Sequence, residues 1–353
     1  MSESFSIKCL IKCGISSFLS LLVERDFLER LRPGPRFYSF VLVFVFFTAF
    51  IAHVRINGIF ACPVTEYAGN HYLGHCETSG YGDYDHGAFW FDLEPTIRRS
   101  VRSADVLFVG NSRMQFGFSA PALGRWFASQ DQNYYLLGFS HSETANFLGP
   151  VLDVLQPQAR VYVVNADEFF VDFWSGPGRA VLQRDDALAR YQTKRLWQSI
   201  HKFTCERTPI CGDTMAFFRQ RETGEWILGG ESVGEPAMAD QTLALDETRV
   251  AELRGPALDF ISTLDVASEC IIFTYVPPKV SDRATIQSLA AAVGVSFVSP
   301  QLEDLRTFDG SHLDRDSAQR FATAFFEEAA PHLNRCLAEE TSHGKTIDEE
   351  GGL

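Results

Sequence analysis

Five short apolar runs alternate with helical patterns across residues 103–336, and this alternation most constrains the fold. Each run has the length of a buried strand, and most are separated by stretches of helical periodicity. The runs are Asp105–Val109, Tyr134–Gly138, Arg160–Val164, Cys270–Val276 and Val295–Val298. Strands that alternate with helices form βαβ units, so the sequence predicts an α/β fold with a parallel sheet covered on both faces. In such sheets ligands bind beyond the carboxyl ends of the strands.

Three other stretches do not follow this alternation. Residues 169–252 contain three tryptophans and a Gly-rich run, and are interpreted as an insertion between the third and fourth strands. The insertion forms either a lid or acceptor-binding wall, or structural padding. Residues 55–102 are interpreted as an extracytoplasmic linker. The polar, acidic residues 337–353 are predicted to be disordered.

Residues 37–54 form an apolar run without acids, Lys or Arg. As a helix the run would rise about 27 Å, enough to cross the hydrocarbon core, and it is apolar all round, which favours a span over a buried core helix. Six Lys or Arg residues precede it, whereas none lies between Arg55 and Arg98. This bias predicts that residues 1–36 are cytoplasmic and that the main domain is periplasmic, on a single-pass protein of the inner (plasma) membrane. A cleaved signal peptide is the alternative, but no clear small-x-small cleavage site is present.

The cysteines indicate the redox compartment of the chain, and its net charge limits the classes of partner. Six of the eight cysteines follow the apolar run, and an even number there suits disulfides in an oxidising compartment. Spacing does not fix the connectivity, although Cys62 with Cys76 and Cys205 with Cys211 are the predicted local pairs. Zinc is the competing interpretation, but no Cys/His cluster has ligand spacing, so no metal is predicted. The formal net charge of −14 disfavours nucleic acid and anionic lipid surfaces as partners.

Two polar motifs occur where chemistry is expected. The first strand runs into Gly110–Arg113 (GNSR), a tight turn that exposes Ser112 and can aim backbone N–H groups at an oxyanion. Near the C-terminus, His312 follows Asp309 by three residues and precedes an amphipathic helical pattern. In this arrangement Asp309 would accept a hydrogen bond from one ring nitrogen, and the other would take the Ser112 proton. Each residue alone is more simply a turn or surface-loop residue, so the prediction depends on the three together.

The two motifs together resemble those of the SGNH/GDSL hydrolase superfamily, whose first block is G-D/N-S and whose last block is D-x-x-H. The resemblance covers about residues 104–333, apart from the inserted stretch. It implies an α/β fold with a flavodoxin-like three-layer parallel sheet. It also implies that Ser112 is the nucleophile, His312 the general base and Asp309 its orienting partner. The backbone N–H of Ser112 would contribute to the oxyanion hole.

The middle blocks of the superfamily match this chain less closely. Gly138 precedes the place of the family's oxyanion-donor Gly, which His141 is expected to occupy; the alternative for His141 is an ordinary loop residue. In the third block, Asn165 is a candidate amide donor whose register is off, and Asp167 is the other candidate for that position. An Asp there would repel a developing oxyanion unless it were protonated or turned away. These four are the candidate oxyanion or substrate-binding residues.

The resemblance implies serine-dependent acyl transfer or ester hydrolysis outside the cytoplasm, with O-acetyl chemistry on a cell-envelope glycan as the expected reaction. Membrane-tethered relatives often work with a multispanning membrane protein that exports the acyl group, so such a partner is implied. Trp174 and Trp226 are candidates to stack on sugar rings, although core packing is their commoner role. No P-loop or G-x-G-x-x-G is present, so no cofactor is predicted. The alternative is an inactive binding or scaffold protein in envelope polysaccharide assembly, which the weak middle blocks favour.

Overall fold

A computed structural model describes residues 34–338, except residues 57, 65, 66, 68, 79, 231–235 and 240. Most of the predicted cytoplasmic segment (1–36) and most of the predicted disordered tail (337–353) lie outside the described residues. The first two tail residues, 337 and 338, are helical.

Helices and strands alternate along most of the described chain. The helices are α1 Pro35–Ile56, α2 Asp85–Trp90, α3 Pro95–Arg102, α4 Ser112–Phe118, α5 Pro121–Gln130, α6 Ala145–Leu155, α7 Gly176–Gln183, α8 Ala187–Cys205, α9 Glu247–Ser262, α10 Arg283–Val293 and α11 Arg315–Ala338. The strands are β1 His71–Cys76, β2 Gly82–Asp83, β3 Val106–Asn111, β4 Tyr134–Phe139, β5 Val161–Asn165, β6 Ala216–Gln220, β7 Trp226–Gly229, β8 Ala237–Met238, β9 Gln241–Thr242, β10 Ile271–Thr274, β11 Val280–Ser281, β12 Ser296–Phe297 and β13 Arg306–Thr307. Short 3-10 helices span Gly58–Ala61 and Ser268–Cys270.

Helix α1 contains the whole apolar run predicted from the sequence and extends it by two residues at each end. None of its residues is buried. Among the described residues it is the one helix long and apolar enough to cross a membrane, judged by length and composition. At about 1.5 Å per residue it rises about 33 Å. One compact unit of the chain ends at Val54, and a second begins at Arg55.

The second unit contains the predicted parallel sheet. Its five strands lie in the order β12-β10-β5-β3-β4, and every pair in it is parallel. Numbered along the chain, these five strands have the order 5-4-3-1-2, so the strand that leads to Ser112 lies between β5 and the edge strand β4. Each of the five predicted strands is confirmed, with ends that differ by a few residues.

Helices cover both faces of this sheet. Along β3 the side chains alternate: Leu107 and Val109 face one hydrophobic cluster, whereas Val106 and Phe108 face another. The first cluster includes apolar residues of α6, α9 and α10, and the second includes those of α4, α5 and α11. Because the strands carry apolar side chains on both faces, both faces of the sheet are covered by helices, which gives three layers.

A second, antiparallel sheet corrects the interpretation of residues 55–102 as a linker. The order of its strands is β2-β1-β6-β7, so two strands before the parallel sheet pair with two from the 169–252 insertion. In β1, Tyr72, Leu73 and Cys76 are fully buried. The supposed linker and the insertion therefore fold together.

This second sheet covers the free edge of β4 through Arg219. The guanidinium donates to the carbonyl of Leu136 at 2.8 Å and to that of Gly138, and the N–H of Leu136 donates to Thr223 at 2.8 Å. Arg219 is itself held by Asp85, with Nη2 at 2.6 Å from Oδ2, and both side chains are fully buried. An exposed strand edge is a template for unwanted pairing, and here an ion pair and a turn occupy it.

The predicted local disulfides are confirmed, and a third pair joins distant segments. Cys62 bonds Cys76, and Cys205 bonds Cys211. The third disulfide links Cys270, just before β10, to Cys336 in the last turn of α11, with their Cα atoms 5.7 Å apart. It ties the C-terminal helix to the start of a sheet strand.

Replacing Arg219 by Leu should lower the free energy of unfolding by about 3–5 kcal/mol, because the buried Asp85 carboxylate would lose its cation. Urea denaturation of the full chain in detergent measures this loss. Arg184→Leu is the matched control, since it removes an arginine from an exposed ion pair with Asp186 and should not move the midpoint. Equal midpoints for the two variants would contradict the role given to Arg219.

Candidate active site

Ser112 lies at the junction of strand β3 and helix α4. Asn111 caps this helix, since its side-chain oxygen accepts from the N–H of Arg113 at 3.0 Å. Gly110 is closely packed: a Cβ there would lie 3.0 Å from Cβ of Asn165 and 3.1 Å from Cβ of Met114. Ser112 is the first residue of the helix, so its own N–H has no acceptor within the helix. Both its hydroxyl and its N–H are therefore at the carboxyl edge of the sheet.

His312 and Asp309 reach Ser112 from the loop between β13 and α11. Oδ1 of Asp309 accepts from the N–H of Ser311 at 2.9 Å and from that of His312 at 2.8 Å, which folds the loop back on itself. Gly310 has φ +82°, a conformation that favours glycine. Oδ2 of Asp309 lies 2.6 Å from Nδ1 of His312, and Nε2 of His312 lies 2.8 Å from Oγ of Ser112. The three predicted residues form one continuous hydrogen-bonded row.

Charge and packing fix the orientation of the His312 ring. Burial raises the pKa of the Asp309 carboxyl, but the hydrogen bonds from His312 and the loop N–H groups outweigh it, so the pKa is lowered overall. Asp309 is thus a carboxylate at neutral pH and accepts the Nδ1 proton, which leaves Nε2 to accept from the serine hydroxyl. Phe116 and Phe308 flank the ring, with centroids at 4.8 Å and 5.6 Å. This arrangement can deprotonate the serine for attack on a carbonyl.

Gly138 is packed within the sheet. A Cβ there would lie 2.8 Å from the carbonyl oxygen of Asn111 and 2.8 Å from Cγ of Gln115. Its carbonyl accepts from Gln115 at 3.1 Å and from Arg219. Close approach of neighbouring backbone and side chains therefore explains the glycine at this position.

His141 is exposed in the loop after β4, in a left-handed conformation with φ 63°, and Ser142 follows with φ 52°. Two such non-glycine residues in succession are uncommon and store strain. The His141 ring packs against His75 with a centroid distance of 5.1 Å. Within the described part of the chain, no hydrogen bond joins it to Ser112.

Asn165 is a brace. Its Nδ2 donates to Oδ1 of Asn111 at 3.3 Å, and its Oδ1 accepts from the N–H of Val276 at 3.1 Å. The side chain is fully buried. These contacts join the ends of β3, β5 and β10 and use the amide that was predicted as an oxyanion donor.

Asp167 forms an ion pair with Arg113, the residue after the candidate nucleophile. Burial raises the pKa of Asp167 to about 6, while Arg113 opposes that rise. The backbone carbonyl of Asp167 accepts from Nδ2 of Asn111 at 3.0 Å, and Nε of Arg113 donates to Ser311 at 3.1 Å. The carboxylate is thus turned toward a cation. Arg113 has a linking role that sequence reasoning missed, although the G-N-S-R motif contained the residue.

A buried charged network holds the loop that follows β4. Glu143 in this loop is fully buried, and its Oε2 lies 3.0 Å from Nε2 of His86 and accepts from Ser175. Nδ1 of His86 lies 2.8 Å from Oδ1 of Asp83. Burial lowers the pKa of His86, but the two carboxylates outweigh it and raise the pKa to about 10. Because each ring nitrogen faces a carboxylate, a doubly protonated ring satisfies both.

A cavity of about 240 Å³ borders this edge of the sheet next to Arg113. Its polar wall includes Asp167, Glu168, Tyr275 and Asp282, and Leu243, Leu253, Val280 and Ile286 form an apolar wall. Oδ1 of Asp282 is buried and has no hydrogen-bond partner among the described residues. The cavity therefore has polar side chains beside an apolar surface.

Trp226 has the packing role and is not exposed to a sugar. It is 5% exposed and stacks on Phe217 with a centroid distance of 3.7 Å. Its ring also meets the edge of Phe116, which in turn contacts His312. Trp174 is partly buried against the same core as the antiparallel sheet.

His201, Cys205 and Cys211 lie close enough for a metal, with ligand atoms within 4.8 Å of one another. The two cysteines are bonded to each other, however. The nitrogens of His201 lie 3.2 Å from the hydroxyl of Tyr67 and 3.1 Å from the carbonyl of Cys62. These atoms are thus engaged in protein contacts, a poor fit to the open ligands that zinc needs.

No protein-family model, curated protein or solved structure matches this chain.

Replacing Asn165 by Ala should lower the free energy of unfolding by about 1–3 kcal/mol, since the buried N–H of Val276 would lose its acceptor. Urea denaturation measures the change, with the exposed Asn146→Ala as a control that should have a smaller effect. Unchanged stability together with loss of Ser112 reactivity toward a serine probe would instead make Asn165 a direct participant.

The stability of the chain should fall as the pH rises from 6.5 toward 10, because the pKa of His86 in the folded state lies above its ordinary value of 6.5. A raised pKa contributes stability that is complete below pH 6.5 and is lost toward pH 10, at up to about 1.4 kcal/mol per pH unit. Urea midpoints across this range give the slope.

His86→Gln should flatten this slope. His201→Gln should keep it, because burial lowers the pKa of His201 to about 4, outside the range. A wild-type slope of zero would show that His86 is not held as a cation.

Proposed function

We propose that this chain is an SGNH-type serine enzyme that transfers or hydrolyses an acyl ester, most simply an O-acetyl group. The observation that carries the proposal is the row of contacts from Asp309 through His312 to Ser112, at 2.6 Å and 2.8 Å. Three residues with nucleophile, base and orienting roles thus occur together at the edge where an α/β sheet binds ligands.

The proposed reaction begins when Oγ of Ser112 attacks the carbonyl carbon of the acyl ester, and its proton passes to Nε2 of His312. The tetrahedral intermediate collapses, its C–O bond to the leaving group breaks, and His312 returns the proton to the leaving oxygen. Water or a sugar hydroxyl then attacks the acyl-serine by the same path in reverse. The N–H of Ser112 is the oxyanion donor that this geometry supports best, since it has no acceptor within its helix.

The sheet supports the same family. The strands have the chain-order arrangement 2-1-3-4-5 when read from the β4 edge, which is the order of flavodoxin-like sheets. Ser112 follows the strand at the reversal point of that order. Ligands bind in such sheets outside this reversal point.

We also propose that α1 tethers the enzyme to the inner membrane, with the second unit in the periplasm. The excess of Lys and Arg before α1 and the three disulfides after it support this orientation. The proposed acceptor is a cell-envelope glycan, and the cavity beside Arg113 is its proposed place, because Asp282 and Tyr275 offer polar groups next to an apolar wall. A multispanning membrane protein would supply the acyl group.

A non-catalytic scaffold is the second candidate. The engaged side chains of Asn165 and Asp167 favour it, because neither offers a free donor to an oxyanion. The hydrogen bond between the Ser112 hydroxyl and His312 favours the enzyme over the scaffold.

An active-site serine probe, such as a fluorophosphonate, should label the full chain in detergent. Ser112→Ala should abolish the labelling, and His312→Ala should reduce it by a factor of 100 or more, in the range of about 10²–10⁴ for loss of a general base. Ser129→Ala is the matched control and should label like the wild type, because Ser129 is an exposed serine near the end of α5. Release of acetate from an acetylated glycan should follow the same order.

Labelling that persists in Ser112→Ala would remove the nucleophile assignment. Absence of labelling and of acetate release from a folded wild-type chain would favour the scaffold.

A further inference from the structure

Helix α8 exposes apolar side chains and buries polar ones. Leu196, Trp197, Ile200 and Phe203 are 63%, 45%, 38% and 62% exposed. Leu196, Ile200 and Phe203 recur at spacings of four and three residues, so they share one face of the helix. The buried residues of the helix are Ala187, Tyr191, Gln198, His201 and Cys205. A helix on the surface of a soluble protein usually has polar residues on its outer face, whereas this one has an apolar row there.

Hydrogen bonds fix this orientation. Gln198 accepts from the N–H of Leu73 at 3.2 Å and donates to the carbonyl of Leu73 at 3.0 Å. His201 contacts the Tyr67 hydroxyl and the Cys62 carbonyl. Rotating the helix to bury its apolar row would break these hydrogen bonds and leave their buried polar groups unsatisfied, which is unfavourable. The hydrogen bonds on the buried side of α8 therefore keep its apolar row exposed.

The charges on α8 differ in sign from those of the whole chain. Between Ala187 and Cys205 the helix has two arginines and two lysines and no acid, although the chain has a net charge of −14. Arg190 and Arg195 are exposed. Arg207, just beyond the helix, lies over the Phe203 ring and 3.7 Å from Glu206. Basic groups beside an exposed apolar row are the features of helices that lie in the interface of an anionic bilayer.

Helix α8 lies beside the residues that begin the second unit. Helix α8 packs against the short helix Gly58–Ala61, which begins two residues after α1 ends at Ile56. The carbonyl of Cys62 contacts His201 of α8, and the N–H of Gly212 donates to Phe60 at 2.9 Å. The segment that packs against α8 is therefore the one that directly follows α1 in the chain.

We propose that the outer face of α8 binds the bilayer surface, with Leu196, Trp197, Ile200 and Phe203 at the boundary between headgroups and acyl chains, and with its arginines on anionic lipid phosphates. Trp197 suits that depth, since tryptophan is enriched at membrane interfaces. The overall acidity of the chain disfavours anionic surfaces, and α8 is a local basic exception to it. The inference depends on the proposed membrane tether and is independent of the proposed serine chemistry.

Photo-crosslinking in the full chain tests this contact. The photoreactive p-benzoylphenylalanine replaces Phe203, and the protein is reconstituted in liposomes of phosphatidylcholine with about a third phosphatidylglycerol. This fraction of anionic lipid attracts basic side chains strongly. The phosphatidylglycerol carries a clickable tag, so that lipid adducts can be detected. Leu258 on α9, 40% exposed, is the matched control position. Lipid adducts should be at least about fivefold more abundant at position 203, because an interfacial residue meets acyl chains and an outlying one does not.

A second arm tests the charges. Arg190→Gln with Arg195→Gln should lower the adduct at position 203 severalfold in anionic liposomes, because each basic residue near such a surface adds attraction. Arg249→Gln, on α9, is the matched control and should leave the adduct unchanged. An adduct that ignores both arginines would overturn the electrostatic half of the proposal.

Equal lipid labelling at positions 203 and 258 would overturn the membrane contact. Adducts at position 203 that join protein instead of lipid would also overturn it, and would mark α8 as a protein-binding face. The serine probe is applied to the same liposomes, so a failure of the membrane contact and a failure of the serine chemistry are read separately.

Discussion

A chain of hydrogen bonds across the strand ends is the constraint on which the candidate site depends. The side chain of Asn111 accepts a hydrogen bond from the side-chain amide of Asn165 and donates one to the backbone carbonyl of Asp167. These bonds fix the ends of β3 and β5 to each other. Arg113 then joins Asp167 to Ser311, in the loop that holds His312. Ser112 and His312 are 200 residues apart in the chain, and these bonds help to hold them in a contact of 2.8 Å.

The same bonds explain how an acidic residue can be tolerated beside the candidate nucleophile. A carboxylate near a developing oxyanion would oppose the reaction, and its effect grows in a site shielded from water. Asp167 is instead paired with Arg113, so the two charges nearly cancel. Burial raises the pKa of Asp167 to about 6 even with Arg113 in place, so loss of Arg113 would raise that pKa further. The arginine that follows the serine in the G-N-S-R motif thus compensates the negative charge of Asp167.

Local patterns in the sequence were sufficient to predict α1, the five parallel strands and the two short-range disulfides. These features depend on neighbouring residues, on apolar runs and on small loops. The covering of β4 was not predictable, because Arg219 and Asp85 are 134 residues apart and each alone is an ordinary surface charge in the sequence. The same holds for the third disulfide, with 66 residues between its cysteines, and for Glu143 and His86.

For the site, the sequence predicted three residues that the structure brings into contact, whereas the side chains of the middle blocks have partners that the sequence did not indicate. Asn165 and Gly138 were interpreted by their place in the chain as oxyanion groups, whereas packing gives them structural partners. A residue's position after a strand sets which edge it occupies, and the surrounding atoms then decide what its polar group meets. This difference matters for the proposed mechanism. If the side chains of the middle blocks have only structural roles, backbone N–H groups must stabilise the oxyanion. The positions of those N–H groups are set by the turn at Ser112 and by the strained loop at His141 and Ser142. The buried carboxylates and imidazolium that hold this loop would then support the chemistry at a distance, through the backbone that they fix.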